Sequence, residues 1–205
     1  MPQILKDEVR ARILDAALAV FATDGFERAT MAAIALRAGI GTASIYRYYP
    51  GKDELFAAVI TPELAARFAS LLERRVSALA RRTLRGDAND DLGGDMLRFW
   101  IEHRLAVVIL LDRAAGTPHA AYGARFVAQL VKHTLAELRA AHPGLRIRPG
   151  ERFVLTTVFD NTRRLLAAVL AQHADPAELR AAIEAFWSYQ IAGIRALADH
   201  LARRS

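Results

Sequence analysis

Apolar residues recur at three- and four-residue spacing along most of this chain, and no segment keeps the strict alternation of a half-buried strand. The first stripe is Ile13, Ala16, Ala17, Val20 and Phe21. Such spacing gathers side chains on one face of a helix. Composition agrees: alanine, leucine and arginine dominate, and β-branched residues are sparse. The pattern predicts an all-α protein. With 205 residues, 53% hydrophobic and 24% charged, the chain is long and apolar enough for a sizeable core.

Helix breakers divide the pattern. A first helix covers about 7–24, with Gly25 as its stop. Thr30 is a good N-cap for a short second helix at about 31–38, which Gly39 interrupts. A third helix is predicted at about 42–48, ended by Pro50-Gly51. Lys52-Asp53-Glu54 opens a fourth, with its acids in the first turn, where the helix dipole favours them. Thr61-Pro62-Glu63 then reads as either a kink or a fresh start, and helix continues to about residue 85. GDANDDLGGD at 86–95 is the clearest loop. Further helical patterns lie at about 94–114, 118–142, 150–173 and 176–203. The expected architecture is an N-terminal three-helix unit at 7–60 joined to a larger helical body at 61–205.

Charge narrows the partners only a little. The net charge is +6, but residues 1–52 hold seven basic and five acidic side chains, a balance of +2. Net charge by itself is therefore a weak pointer to nucleic acid. The absence of cysteine excludes disulfides and thiolate metal sites, and fits a reducing compartment. MPQILKDEVRAR has no apolar signal segment, and LAVVILL at 105–111 is too short to span a bilayer. The expected location is the cytoplasm, without a membrane partner. Sequence motifs for nucleophilic, nucleotide-binding or zinc-protease chemistry are absent. No cofactor is expected. His103 has no second ligand at metal-binding spacing, so no metal is expected.

Residues 30–49 carry the most specific signal. Two short helices crossing at a sharp angle need a small residue at the crossing, a positive-φ residue in the turn, and an apolar plug. Ala35, Gly39 and Ile45 supply these, flanked by Ile34 and Ile40. On a helical wheel for 42–48, Ile45 defines the inner face, with Tyr48 and Tyr49 beside it. Ala43 and Arg47 point the opposite way, and Thr42, Ser44 and Tyr46 flank them. Small side chains and one arginine on the outer face suit a helix that enters a major groove. Tyr48 and Tyr49 are expected to brace this helix against the first.

These residues resemble the tetracycline-repressor (TetR) family of transcriptional regulators. The resemblance covers about residues 9–60, through ILDAALAVFATDGFERATMAAIALRAGIGTASIYRYYPGKDELFAAVI. Its features are a first helix ending F-x-x-x-G-F, Thr30 at the next cap, I-A-x-x-A-G-I, and S-I-Y-R-Y-Y-x-x-K-D-E-L. It implies a dimeric repressor that binds double-stranded DNA and is released by a small molecule. Position by position, it implies that Thr30, Thr42, Ala43, Ser44, Tyr46, Arg47 and Lys52 face DNA, with Tyr46 and Lys52 on phosphates. Gly41, Thr42, Ala43 and Gly51 depart from the family's common residues, which leaves the operator sequence open.

The resemblance further implies that the last two helices pair in a homodimer. Leu179, Ile183, Phe186, Trp187, Ile191, Ile194, Leu197 and Leu201 form a stripe wide enough for a core and a second interface. Phe153, Val158, Leu165, Leu166, Val169 and Leu170 form another. An effector pocket is expected between the middle helices, lined by Trp100, His103, Arg104, Tyr122, Phe126, Phe159 and Asn161, a mixed aromatic and polar set. The run Arg74, Arg75, Arg81, Arg82 and Arg85 reads as a solvated face. The competing reading is a helical carrier or enzyme with an incidental match at 31–50.

Overall fold

A computed structural model describes residues 3–85 and 91–203. The described residues are helical and contain no strand. The helices are α1 (Gln3–Asp24), α2 (Met31–Arg37), α3 (Thr42–Ile45), α4 (Lys52–Val59), α5 (Pro62–Arg85), α6 (Asp91–Glu102) and α7 (Arg104–Val108). A π turn (Ile109–Arg113) follows, then α8 (Tyr122–Ala141), α9 (Pro149–Gln172) and α10 (Pro176–Ala202). The predicted loop at 86–95 is partly corrected, because α6 already begins at Asp91; residues 86–90 lie outside the described set, as do the side chains of Arg81, Arg82 and Arg85.

α1, α2 and α3 close on one apolar centre. Ile13, Ala17 and Phe21 from α1 are fully buried against Ile34, Ala35 and Ile45. α4 adds Leu55 and Phe56. Phe56 stands edge-on to Phe21 and Phe26, with ring centroids at 5.4 and 5.1 Å. Edge-to-face pairs of this kind add to the area they bury. In the body, Phe68 of α5 lies between Phe99 of α6 and Tyr122 of α8, with both centroid distances at 5.6 Å.

Thr61-Pro62 resolves as a restart with a change of direction. α4 stops at Val59, α5 starts with Pro62 as its first residue, and the two axes differ by 45°. Thr61 accepts the Leu64 N–H through its hydroxyl at 3.2 Å, which caps the new helix. No single described helix is long and apolar enough to cross a membrane.

The pattern at 94–114 read as one helix, and the structure corrects this. His103 leaves helical geometry (φ −114°, ψ 30°), and residues 109–113 widen into the π turn. Gly123 explains part of the geometry. A Cβ there would lie 2.3 Å from the Leu111 carbonyl oxygen, so only glycine lets α8 approach the turn this closely. The same turn abuts the N-terminal unit: the Phe26 N–H donates to the Arg113 carbonyl at 3.0 Å.

Candidate functional site

The helix-turn-helix forms as its spacing demands. Ala35 and Ile45 are fully buried at the crossing of α2 and α3. Gly39 takes φ +67°, the left-handed conformation that ends α2 and starts the turn. The Ile40 N–H returns to the Ala35 carbonyl at 3.0 Å and closes the turn. Thr30 caps α2 by accepting the Ala33 N–H at 3.1 Å. A hydroxyl used as an acceptor keeps its proton for an outside acceptor such as a phosphate oxygen.

α3 is shorter than its pattern predicts. Regular helix stops at Ile45, and residues 46–48 continue as turns, with the Tyr48 and Tyr49 N–H groups on the Ile45 carbonyl at 2.9 and 3.0 Å. The wheel still describes the side chains, because a tight turn nearly preserves helical angles. Tyr49 is buried with the Arg10 guanidinium of α1 over its ring at 5.8 Å, and Tyr48 is half-buried on the same core. Thr42, Ala43, Tyr46 and Arg47 are exposed, and Ser44 is half-buried. Arg47 Nη2 donates to Ser44 Oγ at 3.3 Å, which draws the guanidinium back along the outer face.

Lys52 departs from the expectation of a phosphate contact. Its ammonium donates to the carbonyls of Phe26, Glu27 and Ala29 at 2.7, 3.3 and 3.1 Å. It also sits 4.4 Å from the Phe26 ring centroid. An ammonium has three protons, and here all three are engaged within the domain. The arrangement pins the turn between α1 and α2, whose end is Thr30. Sequence reasoning missed this because the three acceptors are backbone atoms more than twenty residues away.

Against this frame stand the comparisons with known proteins. Residues 13–59 match the family described as bacterial regulatory proteins, tetR family. The chain carries a TetR-family segment. It is a DNA-binding transcriptional regulator, and the matched segment holds the helix-turn-helix. It is 28% identical to the HTH-type transcriptional repressor Rv1474c of Mycobacterium tuberculosis over 90% of this chain and 95% of that protein. It is 41% identical to the HTH-type transcriptional repressor KstR of Mycolicibacterium smegmatis over 27% of this chain and 28% of that one. Among solved structures, a TetR-like transcriptional regulator from Rhodococcus sp. RHA1 aligns over 97% of this chain and 96% of that one. Its identity is 24% and its TM-score 0.49.

The seven residues predicted for a pocket do not converge. Trp100 lines a cleft of about 380 Å³ between α5, α6 and α10. Tyr122 and Phe126 line a second of about 320 Å³ between α5 and α8. Tyr122 donates to the Ala65 carbonyl at 3.1 Å, and burial pushes its phenol pKa well up. Phe159 is closed into the core. His103 packs on Phe99 at 4.7 Å and stands 3.5 Å from the Glu102 carboxylate. Arg104 is a correction: it donates to the Leu170 and Ala171 carbonyls at 2.7 and 3.3 Å, where the last turn of α9 has no intrahelical donors. Asn161 is another, exposed on the outer face of α9.

Sequence reasoning also missed Arg163. It donates to the Leu111 carbonyl and to Asp112 at 2.7 Å each, and to Asp160 at 2.9 Å, tying α9 to the π turn. Burial alone would raise the Asp160 pKa, but the hydrogen bonds and charges of Arg163 and Arg164 outweigh it and hold the carboxyl below its usual value. Among the described residues no cluster of acids and histidines has the makings of a metal site.

Proposed function

We propose that the chain is a sequence-specific repressor that leaves a palindromic operator when a small molecule binds its body. The observation that carries this is the exposed set Thr42, Ala43, Tyr46 and Arg47, held opposite the buried Ile45 on a matched helix-turn-helix. Small residues at the start of α3 let its backbone approach base edges, and Arg47 reaches a guanine edge or a phosphate. Thr30, Ser44 and Tyr46 bind phosphates through their hydroxyls. Lys52 serves DNA indirectly, by holding the turn that presents Thr30. Residues 7–60 form the DNA-binding unit and 61–205 the effector and dimerisation unit, and the protein works in the cytoplasm.

The dimer face we infer lies on the last two helices, on the parts of their stripes that the single chain leaves uncovered. Leu179, Ile183, Phe186, Ile194 and Leu201 are buried within the chain. Left exposed are Phe153, Val154 and Leu165 on α9 and Tyr189 on α10. Thr157, between them, donates its hydroxyl to its own helix at Phe153 O (3.0 Å), which leaves its methyl for the surface. Large apolar side chains left exposed on two adjacent helices favour a partner surface, and a second copy of this chain supports reading of a palindrome.

Selection of bound sequences from random duplexes tests the proposal. It should return a palindrome whose half-sites lie about one helical turn, or a multiple of it, apart. Arg47→Ala and Tyr46→Ala should weaken retention, with a shallower salt dependence. Recovery of no common sequence, with both variants retained like the wild type, would sink it.

A further inference from the structure

α8 and α9 form an antiparallel hairpin joined by residues 142–148, with a groove of about 510 Å³ along their seam. Gly123 lies against Arg163 at one end. Equal steps along the two helices then set Val131 near Thr156, and Leu135 near Arg152. Val127, Val131 and Leu135 form a buried floor. The walls change character along the groove. Toward Gly123 they are small: Ala124 and Ala128 are exposed and leave room. Thr156 turns its hydroxyl to its own helix at Arg152 O (2.8 Å), which leaves its methyl for the groove. At the other end the walls are cationic. Lys132 and Arg139 stand one turn to either side of Leu135, and Arg152 faces it. None of the three has an acid three or four residues away on its helix. Among the described residues none of them makes an ion pair. Asp160, which also lines the groove, is held by Arg163 and Arg164 at 2.9 Å each.

We propose that this groove is the effector site and that its ligand is an alkyl carboxylate, with its head among Lys132, Arg139 and Arg152 and its tail toward Ala124. This rests on the reading of the chain as an effector-controlled repressor. The apolar side chains named in the groove are all aliphatic and none is a ring, so the seam suits a flexible chain rather than a flat one. From Ala124 to Leu135 is 11 residues, so the apolar track runs about 16 Å. A guanidinium holds a carboxylate through two parallel hydrogen bonds, and an ammonium adds a point charge. The volume lies in the range of small-molecule sites. The tail end reaches Asp160, whose partner Arg163 also holds the Leu111 carbonyl and Asp112 of the π turn. The Arg113 carbonyl of that turn accepts the Phe26 N–H of the DNA-binding unit. A tail that parts α8 from α9 therefore acts on a chain of contacts that ends at the reading head.

Butyrate, octanoate and dodecanoate are titrated into the full-length protein by calorimetry, below the concentrations at which they form micelles. Octanol and octylamine serve as controls without the negative charge. Octanoate should bind saturably, with each added methylene tightening affinity about two- to fourfold, and both controls should bind about tenfold more weakly. Head and tail separate by mutation. Arg152→Gln should weaken all three acids about two- to fivefold and leave the gain per methylene unchanged. Ala128→Phe, at an exposed position, fills the tail end and should weaken dodecanoate about tenfold while sparing butyrate. Arg125→Gln, in the separate cleft between α5 and α8, should change nothing. Binding should release operator DNA. Absence of saturable binding, affinity indifferent to chain length, or Arg125→Gln weakening octanoate more than Arg152→Gln overturns the site. So does an Arg152→Gln protein that turns monomeric by light scattering, since the groove then belongs to the seam between subunits. If operator DNA is still retained specifically, the repressor reading survives those results. Saturable binding that leaves DNA bound overturns the effector role instead.

Discussion

Gly123 and Gly150 form a matched pair that tests the packing of the π turn. Each is the second residue of its helix, α8 and α9 respectively. Alanine is favoured over glycine inside a helix by about 1 kcal/mol, so both substitutions to alanine would stabilise the protein if helix propensity alone decided. At Gly150 nothing lies within 4 Å of the added Cβ. At Gly123 the Cβ would meet the Leu111 oxygen at 2.3 Å and the Arg163 Cδ at 3.1 Å. Carbon–oxygen contacts normally begin near 3.3 Å, so α8 and the π turn must separate by roughly 1 Å. The oxygen cannot yield alone, because it is backbone and also accepts from Arg163 at 2.7 Å. Overpacking of this kind costs about 1–3 kcal/mol and exceeds the gain in propensity. Gly123→Ala should therefore lose about 2 kcal/mol, or about 4–8 °C in Tm, while Gly150→Ala gains up to about 1 kcal/mol. Urea and thermal unfolding followed by circular dichroism measure both. A Gly123→Ala protein as stable as the Gly150→Ala protein would refute the close approach and the packing argument built on it.

Three further outcomes are expected. Lys52→Met should destabilise the protein by about 2 kcal/mol, as charge-assisted hydrogen bonds do when removed. Its DNA binding should weaken without change in salt slope, whereas loss of a direct phosphate contact would lower the slope by about 0.9. Asp160 titrates below its ordinary value of 3.8 when folded, so its contribution is present above that value and is lost as pH falls through the folded pKa. Asp160→Asn should thus be less stable than wild type at neutral pH, and the two unfolding curves should converge below pH 3.8. Phe153→Asp with Leu165→Asp should convert a dimer to monomers by light scattering, with little change in helix content, since both side chains are exposed in the single chain.

Ile45, Gly39 and the split among the tyrosines were legible in the sequence because a helix-turn-helix leaves few choices at each position. One buried plug, one left-handed turn and a fixed helical angle place the outer face without further information. The body was legible only as helices. Its apolar stripes do not say which side faces the core, so Phe153 and Leu165 carry the same pattern as the buried Leu166 and Leu170. The π turn was invisible because helical geometry there gives way to tertiary contacts, chiefly the approach of Gly123 to Leu111. Arg104, Lys52 and Arg163 share one cause of concealment. Each satisfies backbone carbonyls from a distant element, and a carbonyl has no residue identity to read.

The restart at Pro62 sets a mechanical scale. α5 has 24 residues, so at 1.5 Å per residue it is a rod about 36 Å long. A tilt of only about 5° at one end sweeps the other through about 3 Å, close to the 3.4 Å rise of one base pair. Two subunits tilting in opposite senses double that offset. A change too small to disturb the packing of any single side chain is thus enough to put the two reading heads out of register with their half-sites.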